Sequence, residues 1–141
     1  MGGGDIPEDV VGALEVALGF SHQSPTLSIF MVCDAPCHGN DYHECRYDDH
    51  PEQPKDYLEK VVERFNLIQG TEAYFTVLQL NESTDIMYTK MAEAFGPNFR
   101  ITEKVQPKDI FEAMFASLTE TIDQTRLSSK TQSRQDIVRN P

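Results

Sequence analysis

The strongest constraint on how this chain folds is the alternation of two apolar patterns along it. Val10, Val11, Leu14, Ala17 and Leu18 recur at helical spacing, and Gly19 ends the run. Asp5-Ile6-Pro7-Glu8 reads as the start of that helix, with Asp5 as cap, Pro7 in the first turn and Glu8 at capping-box spacing. After a polar turn comes Thr26-Leu27-Ser28-Ile29-Phe30-Met31-Val32-Cys33, whose second half is continuously apolar, as in a strand covered on both faces.

The pattern then repeats. Tyr57, Leu58, Val61, Val62, Phe65 and Ile68 line a helix closed by Gly70, and Ala73 to Leu80 reads as a second buried strand. A third helix from about Thr84 to Phe95 stops at Gly96-Pro97, before a short strand around Phe99–Ile101. A last helix begins near Pro107, and its expected buried face is Ile110, Phe111, Met114, Phe115, Leu118 and Ile122. Helices alternating with buried strands predict an α/β fold, a parallel sheet with helices on both faces, built from about three strands and four helices.

A doubly wound domain carries more strands than this and begins with one. Here the first element is a helix entered from Met1-Gly2-Gly3-Gly4. The expectation is therefore a truncated domain over residues 1–126, lacking its N-terminal half, followed by a polar, disordered tail over 127–141. The first strand would then have an open edge, which predicts self-association.

Charge narrows the function classes. Twelve Lys and Arg against 23 Asp and Glu give a net charge of −11, which repels phosphate backbones and argues against nucleic-acid binding. No apolar run approaches the roughly 20 residues of a membrane span, and the start shows no secretory pattern. Three cysteines make no disulfide framework, so the expected compartment is the cytoplasm.

In parallel sheets, ligands gather at the carboxyl ends of strands. The segment around Asp5 and the segment leaving the first strand, Asp34-Ala35-Pro36-Cys37-His38-Gly39, should meet at that edge. Asp34, Asp5 and Glu8 are candidate oxygen ligands for Mg²⁺ or Mn²⁺. The alternative is that Asp5 and Glu8 cap the helix while Asp34 caps a turn. Cys33, Cys37, His38, His43, Cys45 and His50 also crowd into one stretch. Cys37, His38, His43 and Cys45 could offer zinc a tetrahedral set, although no paired Cys-x-x-Cys spacing is present; the alternative is a structured polar loop that His38 fixes through side-chain hydrogen bonds. A Cys37 nucleophile activated by His38 or His43 is a further alternative.

The same segments carry a resemblance. Gly2-Gly3-Gly4-Asp5-Ile6-Pro7-Glu8-Asp9-Val10-Val11-Gly12-Ala13-Leu14, then Cys33-Asp34-Ala35-Pro36-Cys37-His38-Gly39 with Tyr42-His43, resembles the von Willebrand factor type A domain. The similarity is to the version associated with alpha-type protein kinases. Asp48-Asp49-His50-Pro51 and Thr84-Asp85-Ile86-Met87 resemble its "DDYP" and "TDKM" stretches, with His50 in place of Tyr. The resemblance implies a divalent-cation site assembled from three loops. The Asp-x-Ser-x-Ser loop has no counterpart here, the second loop corresponds to the segment around Asp5, and Asp34 matches the Asp of the third.

The expected function is a non-catalytic protein-interaction module with a partial cation site, presenting its Asp34 edge to a protein partner. The rival expectations are a small metal-dependent enzyme using Asp34, His38 and His43, and a truncated product without function of its own. No kinase glycine loop, catalytic Asp-Asn set or Walker lysine is present in the sequence.

Overall fold

A computed structural model describes residues 4–20, 22–102 and 104–139, with side chains described through residue 131. The elements follow the expected order: α1 (Val10–Leu18), β1 (Thr26–Cys33), α2 (Tyr57–Arg64), β2 (Glu72–Gln79), α3 (Asp85–Phe95), β3 (Phe99–Thr102) and α4 (Ile110–Arg139). Short 3-10 turns extend α2 and precede α3 and α4. The strands form one parallel sheet in the order β1-β2-β3. β1 pairs with β2 along its full length, from Thr26 opposite Glu72 to Cys33 opposite Gln79.

Helices α1, α2 and α3 cover one face. Leu58, Val62, Phe75, Val77, Met87 and Met91 are fully buried between them and the sheet. Phe75 sits at the centre, with Phe65, Phe95 and Phe99 ring centroids 5.3–6.0 Å away. Each fully buried side chain of this size contributes about 1.5–3 kcal/mol by leaving water, so this layer accounts for the core.

The other face carries α4, and here the structure corrects the sequence reading. The side chains α4 turns to the sheet are Ser117 and Thr121, both buried, and Ser117 Oγ hydrogen-bonds Thr76 Oγ1 of β2 at 2.7 Å. Phe111, Phe115, Leu118 and Ile122, expected to be core, are exposed. The apolar stripe exists, but it lies on the flank of α4 beside β1.

Two further boundaries differ from expectation. α1 begins at Val10, capped by Asp9, whose carboxylate accepts from the Gly12 amide at 2.9 Å. Asp5 and Glu8 do not cap it. The polar segment from Leu127, expected as a disordered tail, continues α4 as helix to Arg139.

Candidate functional site

Between β1 and α2 the chain runs through a long stretch without regular elements. Its polar backbone groups must find partners outside helix or strand ladders. Asp48 serves two of them, the amides of Gly39 and His50, and two imidazoles besides. Its side chain is 2% exposed, and each oxygen accepts two hydrogen bonds. Oδ1 takes His38 Nδ1 at 2.6 Å and the His50 amide at 2.8 Å. Oδ2 takes the Gly39 amide at 2.7 Å and His43 Nε2 at 2.9 Å.

Burial opposes ionisation of Asp48, but these four N–H donors outweigh it and hold the carboxyl well below the usual carboxylate range. His43 is equally constrained, because its Nδ1 accepts from the Cys45 amide at 3.1 Å. That leaves Nε2 as the protonated nitrogen facing Asp48. Gly39 is in the left-handed region at φ +110°, and a Cβ there would approach Tyr42 and Gln53 to 3.1 and 3.2 Å. Only glycine brings its amide to Asp48 in this way.

The N-terminal segment closes over this loop. The Glu8 amide donates to the Pro36 carbonyl at 2.9 Å, and Glu8 forms a parallel bridge with Cys37. The expected meeting of the two segments at the strand edge is therefore present. Asp5 reaches past β1 into the loop, where its carboxylate accepts from the Asp49 amide at 2.8 Å and lies 3.7 Å from His38 Nδ1. Asp5, His38 and Asp48 bring ligand-type atoms within 4.8 Å of one another, all three residues being partly buried.

The sequence-derived sets are distributed differently. Asp34 stands exposed at the end of β1, and its carbonyl accepts from Asn81 and Ser83. Among the described residues, Asp34 and Glu8 form no ligand group with Asp5. The Glu8–Cys37 bridge is the cause, since it carries Asp5 toward Asp48 rather than toward Asp34. Cys37, His38, His43 and Cys45 likewise form no metal-ligand group among the described residues. The two imidazoles converge on Asp48, while Cys37 is fully buried with its thiol against Tyr57. Burial pushes the Cys37 thiol up to about 12, the opposite of what an activated nucleophile needs.

Asp48 is the residue that sequence reasoning missed. A signal was available: Asp48 bonds the amide two residues on, as turn-forming Asp residues do, shortly before Pro51. That local pattern does not reveal the two histidines, which only folding brings to it.

Comparison with protein-family models, with curated proteins and with solved structures returns no match. No helix among the described residues is long and apolar enough to cross a membrane.

Proposed function

We propose that the chain is a non-catalytic protein-interaction module of the von Willebrand A type, and that it docks its partner on the open side of β1 and the adjoining flank of α4. One observation carries this reading. Among the described residues β1 has no second neighbour in the sheet, and Val32 on it and Phe111, Phe115, Leu118 and Ile122 of α4 are 39–81% exposed. An apolar surface next to unpaired strand edge is the usual mark of a binding face. Catalysis has no comparable support, because the nucleophile candidate Cys37 is buried with a raised pKa and Asp48 has no free lone pair with which to accept a proton.

The test is solvent access and dye binding. An environment-sensitive hydrophobic dye should bind the folded chain in its monomeric form, and Leu118→Glu with Ile122→Glu should abolish the signal while leaving the circular dichroism melt cooperative. A wild-type chain that is a folded monomer in solution and still binds no dye removes the docking reading.

A second reading is favoured by the convergence of Asp5, His38 and Asp48 within 4.8 Å. A divalent cation held there would need His38 to move its proton from Nδ1 to Nε2 and Asp48 to give up at least one of its four donors. Calorimetric titration of Zn²⁺, Mn²⁺ and Mg²⁺ into wild type and His38→Ala tests it. Saturable binding lost in the variant establishes the cation site. Heat of dilution alone in both proteins eliminates it.

A further inference from the structure

The two edges of this sheet are built in opposite ways. β3 is four residues long and carries Arg100, which pairs with Glu120 of α4. A short edge bearing a charge resists pairing with another strand. β1 is eight residues long, in unbroken register with β2, and contains no charged residue and no proline. In a chain that is 25% charged, this edge has none of the devices that keep strands from joining.

The flank of α4 above it is similarly bare. Phe111, Phe115, Leu118 and Ile122 fall at spacings of four, three and four residues, one stripe along a helix. Leu118 and Ile122 line a groove of about 750 Å³ with Thr26 and Ser28 of β1, so the stripe faces the open side. At one end of that groove stand Arg126 and Lys130.

Charge runs along α4 with a sign change. Glu112, Glu120 and Asp123 precede Arg126 and Lys130. On β1, the Thr26 end lies beside Arg126 and Lys130, and the Cys33 end leads into exposed Asp34. An antiparallel pairing of β1 with an identical strand therefore sets the basic end of each copy against the acidic end of the other. A parallel pairing would set like against like.

We infer that the occupant of this face is a second copy of the chain, joined by antiparallel pairing of β1 with β1 about a two-fold axis. This rests on reading the open β1 side as the docking face. The result is a six-stranded sheet in which the two α4 helices lie antiparallel on the same side. Each α4 lies over β2, so the helices are separated by three strand spacings, about 14 Å. Direct helix contact takes 8–10 Å. The extra width is what two facing rows of Phe and Leu side chains fill. The contact is isologous and closed, so it stops at two copies.

Sedimentation equilibrium of the full chain at micromolar concentrations tests the inference, with circular dichroism melting as the folding control. The expected result is a dimer. Phe115→Glu, at an exposed position, should yield a folded monomer. Arg126→Glu with Lys130→Glu should weaken the dimer roughly tenfold, as loss of rim charge pairs does. Adding Asp34→Lys and Glu112→Lys should restore it, which a parallel or unrelated contact would not allow. A folded wild-type monomer, or an open-ended series of oligomers, overturns the inference. If that monomer still binds the hydrophobic dye at Leu118 and Ile122, the docking face stands with another protein as its occupant. If it binds no dye, both readings fail together.

Discussion

His43 Nε2 lies 2.9 Å from Asp48 Oδ2, and the two side chains are 1% and 2% exposed. The contact pairs a carboxylate with an imidazole inside a loop that has no regular secondary structure. With His38 and the amides of Gly39 and His50, it ties separate parts of this stretch to one carboxylate. Asp48 thus joins residues 38, 39, 43 and 50, and its removal should be felt beyond position 48.

Asp48→Asn tests that dependence. Asparagine replaces two acceptor sites with an NH₂ group that faces existing donors. The expected loss is about 2–4 kcal/mol, the scale for orphaning buried donors and breaking a buried charge-assisted contact. Urea denaturation followed by circular dichroism reads it. A change below half a kcal/mol, on the order of a surface substitution, contradicts the central role of Asp48.

Acid should undo the same contact. The folded-state carboxyl of Asp48 is held below its unfolded value, which lies near ~3.9. Below that value the unfolded chain takes up a proton that the folded one does not. The contribution is therefore fully present above about pH 4 and declines as pH falls toward the folded value. Stability measured by urea titration from neutral to strongly acidic pH should drop over that window. Asp48→Asn should show a smaller drop, and equal slopes would refute the assignment.

Cys37 should be the slowest thiol to react. It is fully buried, and that burial pushes its pKa up to about 12. Alkylation by iodoacetamide at mildly alkaline pH, followed by mass spectrometry, should label Cys45 ahead of Cys37 in the folded protein. In denaturant the rates should converge. Early labelling of Cys37 in the folded state would contradict its placement.

The docking of α4 on β2 can be checked through the Thr76–Ser117 hydroxyl pair. Thr76→Val strands the buried Ser117 hydroxyl and should cost about 1–3 kcal/mol. Adding Ser117→Ala removes the stranded group, so the double variant should be more stable than Thr76→Val alone. Strict additivity would mean that the two hydroxyls do not meet.

How much of this was legible beforehand differs by residue. The alternation of helical spacing with the apolar runs at Thr26–Cys33 and around Phe75 identified the strands and helices, and with them the parallel sheet. Periodicity reports this reliably because burying Leu58, Val62 or Met91 requires those positions to fall on one face. The stripe on α4 was legible as a stripe. Its partner was not, since spacing shows that a face is apolar and not what it meets. Ser117 and Thr121 reached the sheet instead because their small side chains let α4 approach β2, where Thr76 offered a hydrogen bond.

The loop was the least legible region. Its acidic and histidine-rich composition suggested metal ligands, and composition alone cannot tell a ligand shell from a hydrogen-bond hub. Asp5 lies 44 residues from Asp49 in sequence, yet its carboxylate accepts the Asp49 amide. The sequence by itself determined which segments become helices and strands, because local spacing fixes what each element can bury. Only the tertiary structure decided that Asp48 gathers His38 and His43, that Asp34 stands apart, and that α4 leaves its apolar flank open. Each of those depends on contacts between distant segments, which exist only after the sheet has brought them together.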